Sequence, residues 1–331
     1  MKQIAIVVGN KVFPYRKELL ERLALSSELH VYGIESVFLE RVNFIPLRTI
    51  KMFGIYFQPR LLSLLFAKRY HRIIVVGNFR YVTNLLILLF GGARVVSWGF
   101  WQTKSKMANN LRIWIARRVH SNILYADSHA SLLPSSCGIV VARNTVYVEE
   151  VDLNAKSFNS IIFIGSLTKR KRLDEFIPVF KGLLALRSDL TFNIVGDGEE
   201  FLNLKSAVER IGVSDKVIFH GRITESARLA EFYQDACIEV SIGQAGLSVP
   251  RALGHGVPFA TLQGAISGGE TDSIIDEVNG FIKPSLDDLS ASLASFVLDR
   301  DMMVEFSKNA KNFYDDNLSI DVMVDAFESV M

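Results

Sequence analysis

The feature that most constrains this chain is an alternation that runs its whole length: short apolar runs separated by longer stretches with apolar residues at helical spacing. Such a rhythm belongs to βαβ units, in which strands buried on both faces form a parallel sheet and the intervening helices cover it. In the first half, strands are expected at Gln3–Val8, Leu29–Tyr32, Arg72–Val76, Ala93–Ser97, Asn122–Tyr125 and Ile139–Ala142. Helices are expected at Tyr15–Leu25, Arg60–Ala67, Arg80–Phe90 and Lys106–His120. In the last of these, Met107, Leu111, Trp114, Ile115 and Val119 share one apolar face, with Arg112 and Arg117 off it. The second half restarts the rhythm, with strands at Ser160–Ile164, Thr191–Val195, Lys216–Phe219, Ile238–Ser241 and Pro258–Thr261. Its helices fit Leu173–Ala185, Glu199–Ile211, Ala227–Gln234, Val249–Gly254, Leu286–Leu298 and Ile320–Val330. A length of 331 residues favours two such domains. The polar, patternless Arg143–Ser160 reads as the linker, so the expected division is 1–150 and 151–315, with a terminal helix over 316–331 crossing back to the first domain.

Apolar residues make up 49% of the chain and charged ones 22%, so both halves can bury a core. Two cysteines, Cys137 and Cys237, lie far apart and suggest a reducing compartment rather than a disulfide framework. The apolar run Ile4–Val8 passes directly into Gly9-Asn10 and reads as a first strand, not a signal peptide. Leu85–Phe90 is far too short to span a bilayer. A cytoplasmic protein is expected. Charge is distributed unevenly: residues 1–150 carry 20 basic and 8 acidic side chains, against 17 and 27 for residues 151–331. From Arg41 to Ala126 there are 14 Lys or Arg and no Asp or Glu. An ordinary solvated face mixes signs, so this half is expected to meet an anionic membrane surface, a lipid diphosphate or nucleic acid.

Four segments suggest chemistry. Phe163–Leu173 reads as a buried strand, a turn at Gly165, four consecutive cations at Lys169–Arg172, and a helix start. Backbone amides and cations so placed suit a diphosphate, although the same residues also read as a solvated basic loop. Asn193–Gly198 is a strand ending in a Gly-x-Gly turn, which equally serves simple packing. Phe219-His220-Gly221-Arg222 repeats the strand-then-glycine pattern, with His220 read as structural. The richest stretch is Gly243–Pro258, where Ser248 is expected to cap a short helix, Pro250 to sit in its first turn and Arg251 to follow one turn in.

In this order the segments resemble the C-terminal domain of retaining family-4 glycosyltransferases of the GT-B fold, the bacterial polysaccharide and lipopolysaccharide type. Gly165, Ser166, Leu167 and Lys171 match that family's phosphate-gripping turn; Val195–Gly198 and Phe219–Gly221 match its next two strand ends. Gly246–Pro258 and Asn279-Gly280-Phe281 match its closing blocks. Weaker echoes in the first half are Pro14-Tyr15-Arg16, Gly77-Asn78 and Trp98-Gly99. The resemblance implies an α/β protein of two Rossmann-like doubly wound domains facing each other across a cleft. It also implies retaining transfer of a sugar from a nucleoside-diphosphate sugar to a saccharide or lipid-diphosphate-linked acceptor. Donor contacts would come from Gly165, Ser166, Gly196, Asp197, Gly221, Arg222, Gly246, Leu247, Ser248 and Arg251, and Lys171 helped by Arg170 would stabilise the departing diphosphate. Acceptor contacts would come from Asn10, Tyr15, Arg16, Trp98 and Gln102. The family's pair of glutamates is replaced by Gly243 and Arg251, with seven residues between them. Its Trp-Gly-His-Gly turn reads Trp98-Gly99-Phe100-Trp101.

No metal or other cofactor is expected, since the one Asp-x-Asp, Asp299-Arg300-Asp301, falls among late surface helices rather than after a strand. Three rivals stand beside this reading. Nucleic-acid binding lacks any helix-turn-helix, RNA-recognition or zinc signature. A nicotinamide-dependent oxidoreductase would need three glycines where Gly9–Pro14 has one. A catalytically silent partner of an active transferase is motivated by the missing glutamates.

Overall fold

The computed structural model describes residues 1–100 and 105–331. The chain divides into unit 1, Met1–Tyr147 with Ile320–Met331, and unit 2, Val148–Ser319.

In unit 1 the strands are β1 (Gln3–Val7), β2 (Glu28–Gly33), β3 (Asn43–Pro46), β4 (Ile50–Met52), β5 (Ile55–Phe57), β6 (Arg72–Val76), β7 (Val95–Phe100), β8 (Ser121–Leu124) and β9 (Ile139–Val141). The helices are α1 (Lys17–Ser26), α2 (Val82–Phe90), α3 (Lys106–Ala116) and α4 (Asp127–Ala130). Seven strands form one parallel sheet in the order β3-β2-β1-β6-β7-β8-β9. Alternate residues of β1 serve opposite faces, as the two-residue period of a strand requires. Ile4 and Ile6 pack with Leu19 and Leu23 of α1, whereas Ala5 and Val7 pack with Ile87 and Leu88 of α2. β4 and β5 pair antiparallel as a separate hairpin.

Three expectations for this half need correction. β3, β4 and β5 occupy a stretch that shows no sustained period. The helix expected at Arg60–Ala67 is a 3-10 turn over Pro59–Leu65. On α3 the buried face is Arg112, Ile115, Ala116 and, just beyond the helix, Val119, while Met107, Leu111 and Trp114 face solvent. The apolar stripe is thus split, and Arg112 is kept inside by stacking its guanidinium 4.3 Å from the centre of the Phe79 ring.

Unit 2 contains β10 (Ser160–Ile164), β11 (Thr191–Val195), β12 (Val217–Gly221), β13 (Ala236–Val240), β14 (Phe259–Leu262) and β15 (Gly280–Lys283). Its helices are α5 (Leu173–Leu186), α6 (Phe201–Ile211), α7 (Ser226–Asp235), α8 (Ser248–Gly254), α9 (Leu286–Phe296) and α10 (Arg300–Asn317). The sheet is parallel in the order β12-β11-β10-β13-β14-β15. Ile161 and Phe163 enter one core and Ile162 and Ile164 the other. The last helix, α11 (Ile320–Glu328), belongs to unit 1. It buries Ile320, Met323 and Phe327 in the α1 core, and Asp321 pairs with Arg22.

Candidate active site

Strand order in unit 2 reverses between β10 and β13, and ligands of open α/β sheets bind beyond the strand ends at such a point. The register of β10 with β13 ends at Ile162 opposite Glu239. Beyond it, the Ile164 N–H donates to Glu239 Oε1 at 3.3 Å, and the Tyr233 hydroxyl donates to Oε2 at 2.8 Å. Glu239 is fully buried, and burial pushes its pKa up to about 8 against the opposing pull of Tyr233, Arg251, the Ile164 amide and Lys171. The sequence signal for this residue is a lone carboxylate inside the otherwise apolar run Ala236–Val240, which the family motifs do not mark.

On one side of the reversal the loops after β10, β11 and β12 are laced through their backbones. Gly165 N donates to Val195 O at 3.0 Å, Leu167 N to Asp197 O at 3.0 Å, and Gly196 N to Gly221 O at 2.8 Å. A Cβ at Gly196 would lie 1.8 Å from Gly165 O, and one at Gly198 2.3 Å from Leu167 O. The Gly-x-Gly turn is therefore a requirement of close backbone approach. On the other side, Gly243 N donates to Lys171 O at 3.2 Å and Ile266 N to Gly243 O at 3.0 Å. A Cβ at Gly243 would stand 2.2 Å from Arg170 O. Position 243 has no room for any side chain.

Above the laced loops lies a cavity of about 520 Å³, lined by Gly165, Ser166, Gly196, Asp197, Arg222 and Arg251, with Ile164, Val195, Gly198, Ile223 and Thr224. Two arginines against one aspartate give it a cationic balance, and its volume is in the usual range for a small-molecule site. Gly221, at φ +68°, turns the chain from β12 into Arg222. His220 is held by Asn193 Oδ1 at 2.8 Å, in keeping with a structural role.

The four cations separate. Lys171 turns inward, buried, with Nζ donating to Gln244 O at 3.0 Å and standing 3.7 Å from where a Gly165 Cβ would be. Burial lowers its pKa, while Glu239 and Glu270 favour its charged form. Lys169 and Arg170 are exposed, and Arg170 is not among the cavity-lining residues, because the 3-10 turn at Lys169–Lys171 fans successive side chains apart. Arg172 takes a left-handed conformation at φ +53° and pairs with Glu175 through two 2.6 Å bonds. Gly246, Leu247 and Ser248 occupy the neighbouring loop and helix start, outside the cavity lining. Ser248 is the first helical residue rather than the cap; its hydroxyl is buried without a hydrogen-bond partner among the described residues. The carboxylate of Glu270, a second residue the sequence reading missed, accepts from Gly268 N at 2.7 Å and Ser267 Oγ at 3.1 Å.

In unit 1, Asn10 is exposed after β1 and Tyr15 is half-buried against Phe13. Arg16 and Trp98 are not surface contacts. Arg16, 7% exposed, donates to Asn144 Oδ1 at 2.7 Å and lies 4.8 Å from the centre of the Trp98 ring, which is itself 2% exposed and edge-on to Phe327. The guanidinium satisfies itself within an aromatic core, and both residues are buried rather than set on the surface. Trp101 and Gln102 lie outside the described residues.

With this geometry in hand, comparison identifies the domain. Residues 149–313 match the family model of glycosyl transferases group 1. Unit 2 is a glycosyl transferases group 1 domain. No curated protein matches the chain in sequence. The solved structure of HepE from Anabaena in complex with UDP superposes with a TM-score of 0.73 at 13% identity, covering 99% of both chains. WaaG, a glycosyltransferase involved in lipopolysaccharide biosynthesis, gives 0.67 at 14% identity over 99% of both chains. For a TarM variant of S. aureus bound to UDP the TM-score is 0.62 at 16% identity; the match covers 83% of this chain and spans only 59% of TarM. At such identities the likeness establishes fold, and the fold is that of the GT-B glycosyltransferases, with the group 1 domain as its C-terminal Rossmann-like unit.

Proposed function

We propose that the protein transfers a sugar, with retention of configuration, from a nucleoside-diphosphate sugar to a saccharide or lipid-diphosphate-linked acceptor in cell-surface polysaccharide synthesis. The observation that carries this reading is the cavity at the strand ends of unit 2, where Ser166, Arg222 and Arg251 meet backbone turns that only glycine can form. The UDP bound in HepE and TarM supports a nucleoside diphosphate as the ligand class. As the sugar–phosphate bond breaks, negative charge builds on the leaving diphosphate. A buried lysine that stands behind the lining residue Gly165, already desolvated though not itself part of the lining, stabilises that charge more than the ground state. Lys171 is assigned this role. The leaving phosphate takes the acceptor's proton, and no metal enters the scheme. The acceptor is assigned to unit 1, near Asn10 and Tyr15 after β1.

The acid-free run Arg41–Ala126 supports attachment to an anionic membrane at the cytoplasmic face. Among the described residues no helix is long and apolar enough to cross a membrane, and the exposed Met107, Leu111 and Trp114 of α3 suit a peripheral contact. A silent-partner reading draws on Gly243 and Arg251. Incubation with a panel of nucleotide-sugars separates the two: release of nucleoside diphosphate is expected. Lys171→Ala should then lower kcat/KM by about 2–4 kcal/mol in transition-state terms. No release from any donor would favour the silent partner, and unchanged kinetics in the variant would remove Lys171 from the chemistry.

A further inference from the structure

The β4–β5 hairpin of unit 1 carries an apolar tip that nothing in the unit covers. Ile50, Met52, Phe53 and Ile55 are 51%, 66%, 95% and 48% exposed. Four large apolar side chains on so short a stretch form a contiguous patch, not the scattered exposure normal for a surface. The turn makes the arrangement costlier still. Phe53 at φ +49° and Gly54 at φ +77° form the two-residue loop joining β4 to β5, with both central residues in the left-handed region. Asparagine or aspartate ordinarily stands where Phe53 does, because a side chain like phenylalanine's costs about 1–2 kcal/mol in that conformation. An aromatic held strained and solvated has a use outside the unit.

The root of the hairpin is firmly tied, so its tip is presented rather than loose. Gln58 Nε2 donates to Gly9 O at 2.6 Å and to Thr49 Oγ1 at 2.8 Å, and its backbone N–H donates to Thr83 Oγ1 at 2.8 Å. Tyr56 stacks on Tyr81 at 4.8 Å, and its N–H donates to Arg80 O at 2.8 Å. Lys51 is exposed within the hairpin, and Arg48 and Arg60 flank it in the sequence. They belong to the 14-cation segment that has no acid to offset it.

We propose that this hairpin is a wedge that enters an anionic bilayer surface, Phe53 foremost, with the surrounding lysine and arginines on the lipid headgroups. The assignment rests on the peripheral-membrane reading above and adds the element that inserts. Charge complementarity selects an anionic bilayer as the occupant, since a patch meant for a second copy of this unit would set its cations against the same cations.

The test uses the full chain with a single cysteine introduced by Phe53→Cys and labelled with an environment-sensitive fluorophore; Cys137 and Cys237 are buried. A control carries the label at Leu202→Cys on the exposed face of α6 in unit 2. Vesicles of phosphatidylcholine alone, or with phosphatidylglycerol, are added at low and high salt, and co-sedimentation is measured in parallel. The label at 53 should brighten and shift to the blue with anionic vesicles only, while the label at 202 does not change. The double variant Met52→Ser with Phe53→Ser should bind these vesicles at least roughly tenfold more weakly, with unchanged thermal stability. Co-sedimentation of the wild-type chain with a silent label at 53, or undiminished binding of the double variant, overturns the wedge and leaves the peripheral reading standing. Absence of co-sedimentation overturns both. Brightening that follows protein concentration without vesicles assigns the tip to a second copy and also overturns the proposal.

Discussion

At Gly243 a single hydrogen atom decides what the site can contain. Even a methyl group there would collide with the Arg170 carbonyl. Gly243→Ala should therefore destabilise the chain by about 1–3 kcal/mol, and Gly243→Glu by no less, without any gain in donor binding. Gly182, on the exposed side of α5 with open space around it, provides the contrast: Gly182→Ala should stabilise by about 0.5–1 kcal/mol. Denaturant midpoints read both effects, and a well-folded Gly243→Glu that binds nucleotide-sugar more tightly would show that the position can accept an acid. The glycines at 165, 196, 198 and 246 were legible in the sequence because their order and spacing are local. What they touch was not legible, since Gly243 meets Arg170 across a long stretch of intervening chain. For the same reason Arg16 and Trp98 read as surface contacts: the Asn144 and Phe327 that enclose them come from distant segments.

Elements were legible where one period persisted. Apart from β3 and β15, the strands of both central sheets are short apolar runs placed within a few residues, because strands buried on both faces need no alternation. β3–β5 and β15 (Asn-Phe-Ile-Pro, Ile-Lys-Met, Ile-Tyr-Phe and Gly-Phe-Ile-Lys) lack a sustained apolar run that stands out from their surroundings. α10 dilutes Met303, Phe306, Ala310 and Tyr314 among acidic and amide side chains. β13 carries a consequence for pH. Glu239 is held with its pKa raised to about 8, so the folded chain keeps a proton that the unfolded chain releases near the ordinary carboxylate value. Its contribution to stability is therefore greatest in acid and declines as pH rises through about 8. Glu239→Gln should flatten that decline and, relative to wild type, gain stability above pH 8, as thermal melts across pH 5–9 would read. A variant whose pH dependence matches wild type would mean that Glu239 is already ionised in the folded state.

For the whole molecule, the charge asymmetry that singled out the first half of the sequence remains a property of unit 1, while the second half folds as the group 1 domain. In the function proposed above, the cationic cavity of that domain holds the diphosphate of a sugar donor. Arg251 lines the cavity, so it is assigned to a phosphate or an acidic sugar. The direct measurement is thermal stabilisation of the full chain by a panel of nucleoside diphosphates and their sugars, in wild type, Lys171→Ala and Arg251→Glu. A ligand at one hundred times its Kd stabilises by about 2.7 kcal/mol, well within reach of a melting curve. One nucleoside diphosphate is expected to raise the wild-type melting temperature, and both variants to lose most of that rise. No stabilisation of wild type by any member at millimolar concentration, or a larger rise in Arg251→Glu than in wild type, would contradict that assignment.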